Sequence, residues 1–238
     1  DPAMTAAFTT LFLAALALTT LLRMWLARRH VRHVAAHRDA VPEAFREIIA
    51  PEAHRRAADY TVAKVRLGLV EVVVGALFVL ALTLGGGLQA LHAAWTALGL
   101  EGLAHGMAFI AGLVVLSSAV DLPFSLYRSF VVEERFGFNK MTLRLFAIDL
   151  AKGALLGALI GLPVLAAVLW LMEKMGETWW LYVWLFWLGF NLLALLIYPT
   201  VIAPLFNKFT PLVDASLRER IESLLARCGF RASGFYVM

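Results

Sequence analysis

Long apolar runs separated by short polar stretches set the pattern of this chain. The runs lie at roughly Thr5–Leu26, Leu67–Leu84, Leu103–Tyr127, Leu145–Met172 and Thr178–Phe206. Each is long enough to carry a helix across a hydrocarbon core of about 30 Å, which takes roughly 18–20 mostly apolar residues. The first run has no basic residues before it and is too long for the core of a cleaved leader, so it reads as a retained span. The pattern therefore predicts an all-α polytopic membrane protein with five transmembrane helices. Gly85-Gly86-Gly87 closes the second span, and Trp179, Trp180 and Trp184 open the fifth as an interfacial aromatic belt.

After residue 206 the pattern changes. Ser216-Leu217-Arg218-Glu219 has the form of a capping box. Leu217, Ile221, Leu224, Leu225 and Cys228 then recur at helical spacing, and Gly229 suits the cap at the far end. Residues 234–238 read as a strand with no partner elsewhere. Residues 1–206 are thus expected to be a five-helix membrane domain. Residues 207–238 are expected to begin a cytoplasmic α+β domain, cut short.

Composition agrees with a membrane class. The 238 residues are 61% hydrophobic and 16% charged, with a mean hydropathy of +0.79. A soluble domain carries about 25% charge. Cys228 is the single cysteine, so no internal disulfide forms.

The net charge of +4 is distributed by topology. Arg28, Arg29, Arg32, Arg38, Arg46, Arg55, Arg56 and Lys64 follow the first span, whereas residues 88–102 hold neither Lys nor Arg. Arg128, Arg135, Lys140 and Arg144 follow the third span, Lys174 alone follows the fourth, and the tail is basic. Basic loops stay in the cytoplasm, which places the N-terminus outside and the tail inside a bacterial-type inner membrane. No stacking or groove-reading motif accompanies the charges, so nucleic acid is not an expected partner; the lipid bilayer is.

Candidate chemistry is sparse. HExxH and GxSxG are absent, and six scattered histidines with one cysteine make no zinc cluster. His30, His33 and His37 could share a helical face, but neighbouring arginines oppose a bound cation, which favours a solvated juxtamembrane helix. Charged and polar residues inside the apolar runs are the better lead. Glu71, Asp121, Asp149, Lys152 and Asn191 fall within or at the edge of spans. Facing lipid is costly for a charge, so such residues face a bundle interior or a water-filled cavity. Asp149 and Lys152 are three apart and could pair on one helix face. Two readings stay open: a structural ion pair with headgroup contacts, or the lining of an aqueous chamber. A small transporter would use the carboxylates as relays, though five unequal spans do not suggest paired repeats.

Two stretches are more specific. The loop from Phe130 to Lys140 mixes Glu133 and Glu134 with Phe136, Gly137, Phe138 and Asn139. The glutamates could be catalytic or part of a packed cytoplasmic loop. The glutamate-dependent class of CAAX protease needs an arginine where Phe138 stands, so that match fails. The fifth span ends in Tyr198-Pro199 and continues through Ile202 to Leu212. Pro199 and Pro204 cannot both sit in an undisturbed helix, so the chain is expected to bend there.

On Val132–Lys140, on Tyr198-Pro199 and on Ile202–Leu212 the sequence resembles the type I CAAX prenyl protease family of membrane zinc metalloendopeptidases. The resemblance implies a ring of seven helices around a water-filled chamber, closed by a cytoplasmic zinc-protease domain that cuts peptides. It implies zinc as the cofactor of the intact enzyme, held by an HExxH helix and a later glutamate that do not occur in these 238 residues. The chain is accordingly expected to bind no zinc itself and to be inactive alone. Its expected part is the chamber wall, with a peptide or protein substrate reaching the intact enzyme. In that frame Glu133, Glu134, Phe136, Gly137, Asn139, Pro204 and Asn207 are motif or structural residues. Glu71, Asp121, Asp149, Lys152 and Asn191 are chamber-lining candidates. No catalytic role falls on any of them.

Overall fold

The computed structural model describes residues 2–198, 202, 210–230, 232 and 234–237. It divides into two compact units, residues 1–148 and 149–238. Helix dominates both. In order come α1 (Pro2–Ala36), α2 (Pro51–Thr83), α3 (Gly87–Ala97), α4 (Gly102–Tyr127), a π-helical turn (Arg128–Glu133), the short α5 (Glu134–Phe136), α6 (Leu143–Lys174) and α7 (Trp179–Ile197). Then follow β1 (Thr210–Pro211), α8 (Ala215–Cys228) and β2 (Tyr236–Val237). Five helical stretches are long and apolar enough to cross a membrane: Pro2–Ala36, Pro51–Thr83, Gly102–Phe136, Leu143–Lys174 and Gly176–Ile197. The chain is a multi-pass membrane protein.

The expected span count holds, but several boundaries move. The polar stretch expected between the first two spans is largely helical. α1 continues past Arg28, Arg29 and Arg32 to Ala36, and α2 begins at Pro51, well before Leu67. At 1.5 Å per residue, α1 is about 52 Å long, far more than a bilayer core. The excess is a helical hairpin bearing the basic residues. It is fastened by polar contacts, since its arginines exclude a large apolar core. Arg38 donates to both carboxylate oxygens of Asp59 at 2.7 and 2.8 Å. Arg55 pairs with Asp39 at 2.7 Å, and a His54 ring nitrogen lies 3.0 Å from the His37 carbonyl oxygen. Val41 and Ala58 are buried between these contacts. Pro51 suits the first turn of α2, where its missing N–H has no intrahelical partner to lose.

The glycine triplet makes the turn out of α2. A Cβ on Gly85 would lie 2.6 Å from the Ala81 carbonyl oxygen, and Gly86 takes φ +77°. The region expected to be a plain loop after it is instead α3. Eleven residues are too short to cross, at about 16 Å. α3 packs on α4: a Cβ added at Gly112 would stand 3.2–3.3 Å from Leu91 and Trp95, so the absent side chain lets both approach the α4 backbone. His92 Nδ1 and His105 Nε2, 2.8 Å apart, close the same seam. Pro123 and Pro163 sit inside α4 and α6, as prolines in membrane helices often do.

In the second unit, two readings of the tail need correction. Asp214, not Ser216, caps α8: its carboxylate accepts the Leu217 N–H at 3.1 Å and the Ser216 hydroxyl at 2.8 Å. An aspartate there offers a charged acceptor at the positive end of the helix dipole. The strand also has a partner. β2 pairs antiparallel with β1, Thr210 opposite Val237 and Pro211 opposite Tyr236, and the Leu212 N–H donates to the Phe235 carbonyl at 3.0 Å. Two-residue strands containing a proline carry no periodic signal, so the pairing was not readable from residue pattern. Gly229 caps α8 with φ +71°, as expected. The bend expected at Pro199 and Pro204 lies outside the described residues.

Candidate functional site

The loop between α4 and α6 is tied down by its own hydrogen bonds. α4 does not stop at Tyr127 but widens into the π turn, a local expansion that often marks functional sites. The turn is followed by α5, and Gly137 ends it with φ +74°, a conformation costly to any residue with a Cβ. The reversal gathers two backbone donors on Glu133. The N–H groups of Phe138 and Asn139 both donate to the Glu133 carbonyl, at 2.9 and 3.3 Å. The Asn139 side chain then links two parts of the loop. Its Nδ2 donates to Glu134 Oε2 at 3.0 Å, and its Oδ1 accepts the Met141 N–H at 2.7 Å. Glu134 is therefore committed to holding the loop, which argues against Glu133 and Glu134 as an acid–base pair.

The loop docks on the basic, polar end of α2. Val132 is buried. Phe136 and Phe138 set their rings edge-on to Tyr60, with centroids 5.4 and 4.9 Å away. Lys64 lies over the other part of that cluster, 5.2 Å from the Tyr60 ring centre. Asp59, next to Tyr60 and ahead of the apolar part of α2, is held below the usual carboxylate range. The cause is first the hydrogen bond from Arg38, then the charges of Arg38 and Arg135. Arg135 thus adds an electrostatic link from the loop to α2.

Deeper in the same unit, Arg128 Nη2 pairs with Glu71 Oε1 at 2.5 Å. Glu71 and Asp121 line one cleft of about 350 Å³ between α2 and α4, with Gly75, Phe78, Ser117 and Phe124 among the other walls. The structure thus brings together two of the expected polar intramembrane residues and supplies Glu71 with a counter-ion. Tyr60 and Arg128 were not singled out by sequence reasoning. Arg128 stands in the polar stretch just after the third span, and no local signal ties it to Glu71, 57 positions away.

Asp149, Lys152 and Asn191 belong to the second unit. Asp149 and Lys152 are half-buried and form no ion pair with each other, so the pair that their spacing allows is not made. Helical (i, i+3) spacing brings the Cα atoms near without forcing the rotamers to meet. Asn191 satisfies its amide on its own helix, Nδ2 donating to the Trp187 carbonyl at 2.7 Å. Pro204 and Asn207 lie outside the described residues. Among the described residues no group of three or more His, Cys, Asp or Glu could hold a metal. The His33 and His37 rings do meet, tilted by 40° with centroids 4.4 Å apart, and His37 Nδ1 lies 2.9 Å from the His33 carbonyl oxygen. The residues described here do not fit a zinc site.

Comparison with known proteins places this geometry in context. Residues 30–208 match the family described as CAAX prenyl protease N-terminal, five membrane helices. The chain is 33% identical over 230 residues to the CAAX prenyl protease 1 homolog of Caenorhabditis elegans, covering 96% of this chain and 51% of that protein. It is 46% identical over 134 residues to the CAAX prenyl protease 1 homolog of Oryza sativa subsp. japonica, covering 56% of this chain and 32% of that protein. The crystal structure of S. mikatae Ste24p superposes with a TM-score of 0.81 at 28% identity, over 93% of this chain and 52% of that one. The chain spans about half the length, or less, of the relatives it matches.

Proposed function

Because the chain belongs to the CAAX prenyl protease N-terminal family of five-helix membrane domains, we propose that it forms the membrane part of a zinc-dependent metalloendopeptidase. In this reading the helices make part of the wall of an intramembrane chamber, and the α4–α6 loop braces the hydrolytic domain. The observation that carries it is the docked loop: Glu134, Asn139, Phe136 and Phe138 spend their polar and aromatic groups on holding one conformation. Such a rigid platform suits positioning, not proton transfer. Glu71 and Asp121 would line the chamber from the α2–α4 cleft, with Asp149, Lys152 and Asn191 as further lining candidates. Residues 1–206 would be the membrane domain and residues 207–238 the entry into the hydrolytic one. Pro204 and Asn207 would stand at that entry.

Zinc and the hydrolytic groups would come from sequence outside these 238 residues, since HExxH does not occur within them. The relatives' greater length leaves room for that half. The proposed topology puts the N-terminus outside and the tail in the cytoplasm, on the basis of the basic loops. The proposed substrate is a peptide, with a prenylated C-terminus as the class to try first, given the names of the relatives.

The test joins this chain to the remainder of its natural polypeptide. Zinc content and cleavage of a farnesylated peptide are measured in detergent. One zinc per polypeptide and chelator-sensitive cleavage are expected, with neither in residues 1–238 alone. Asn139→Ala should lower cleavage about tenfold or more, by loosening the loop, while leaving zinc content unchanged. Zinc-independent cleavage, or none in the joined polypeptide, overturns the reading.

A further inference from the structure

A second cleft, of about 490 Å³, lies between α1 and α2. α1 and α2 run antiparallel, so Arg23 of α1 stands level with Gly68 and Glu71 of α2, and Leu16 with Val79. The walls are amphipathic along this direction. Thr19, Thr20, Arg23 and Glu71 gather at one end; Leu16 and Val79 form the other. The groove exists because α2 presents small residues to it. A Cβ on Gly68 or on Gly75 would meet nothing within 4 Å. From Gly68 to Val79 the groove runs about 16 Å, close to one leaflet of hydrocarbon, which is half of about 30 Å.

Charge decides what such a groove would accept. Glu71 is taken by Arg128. Arg23 has neither an ion pair nor a side-chain hydrogen bond among the described residues. The polar end therefore carries an uncompensated guanidinium within an apolar stretch, an arrangement that calls for an anion. Two residues on, Trp25 lies under the Arg29 guanidinium at 5.7 Å. A Trp–Arg pair at the end of a span marks the headgroup level. Arg23 is thus near the depth of lipid phosphates, with a chain-length groove leading inward from it.

We propose that the α1–α2 cleft holds one anionic phospholipid, its phosphate on Arg23 beside Thr20 and one acyl chain along Gly68, Gly75 and Val79. A guanidinium matches two phosphate oxygens in one plane, and the polar-to-apolar order of the walls matches a lipid's own. The bound lipid would neutralise Arg23 and fill the space between the helices.

Native mass spectrometry of the full chain in mild detergent tests this, titrated with dioleoyl phosphatidylglycerol against dioleoyl phosphatidylcholine. One retained phosphatidylglycerol is expected, preferred about tenfold over phosphatidylcholine, the scale of one charge-assisted contact. Arg23→Gln should abolish the preference and Arg23→Lys should keep most of it. Gly75→Leu should fill the groove and reduce retention of both lipids. Arg29→Gln, whose parent side chain already lies on Trp25, should change nothing. If Gly75→Leu does not fold, the contrast between Arg23→Gln and Arg23→Lys decides. Equal retention in wild type and Arg23→Gln overturns the proposal, since that is annular lipid. Displacement by inorganic phosphate alone overturns it in favour of a free anion. Retention of farnesyl-cysteine methyl ester in place of the lipid overturns it in favour of an isoprenoid groove.

Discussion

Glu71 shows how a single residue in a span is made tolerable. It sits in the otherwise apolar part of α2, residues 67–83, and Arg128 answers it from the end of α4, 57 positions away in sequence. Removing one partner leaves a charge in a low-dielectric setting, whereas removing both does not. Arg128→Gln should therefore lower stability by about 1–2 kcal/mol, and Glu71→Gln combined with it should recover most of that loss. Thermal unfolding in one detergent, followed by tryptophan fluorescence, checks the cycle. Gly137 is a second residue whose identity is decided by geometry. A Cβ there would meet nothing within 4 Å, yet φ is +74°. Gly137→Ala should thus cost about 1–2 kcal/mol from backbone strain alone. An unchanged midpoint in the same assay would show that the turn is not held in that conformation.

At the scale of elements, caps and dockings decide where helices begin and what they touch. Asp214 holds the start of α8. Its carboxyl is kept below the ordinary range, first by the Leu217 N–H and then by the Ser216 hydroxyl. A depressed carboxylate contributes stability that is present above its unfolded value of about 4 and is lost as pH falls through the folded one. Amide exchange in the first turn of α8 should therefore gain protection loss below about pH 4. In Asp214→Asn, which keeps an acceptor but not the charge, that pH dependence should vanish. Ser216→Ala should matter less than Asp214→Ala, the reverse of what a Ser216 cap would give. Tyr60 is the element-scale anchor of the α4–α6 loop. Tyr60→Ala should release Phe136 and Phe138, at about 1 kcal/mol beyond the lost area, and should raise protease nicking near residues 136–140. Asp59 follows the same sign as Asp214: its link to Arg38 is present at neutral pH and fades as pH falls through its lowered value.

For the whole molecule, the spans and the distribution of charge define a topology that one thiol can test. Cys228 is the single cysteine, and it is exposed on α8. A membrane-impermeant maleimide should label it in inverted vesicles and not in sealed right-side-out ones. In a Cys228→Ser background, a cysteine placed at Ala97, at the end of α3, should show the opposite pattern. The same side for both positions would overturn the topology.

Much of this protein was legible in its sequence because membrane spans are read from length and apolarity alone. In hydrocarbon each span must satisfy its backbone internally, so a helix is the outcome whatever its neighbours do. The loop residues Glu134, Phe136, Gly137 and Asn139 were legible too, because the resemblance rests on them. What tertiary structure decided are the contacts between distant positions. The Arg38–Asp59 and Glu71–Arg128 pairs, Tyr60 beneath two phenylalanines and the β1–β2 pairing leave no local pattern. Polar pairing has no period, and the pairing of a two-residue strand is chosen by its partner. The length and apolarity of the runs determined how many times the chain crosses; only packing determined which of its charges meet.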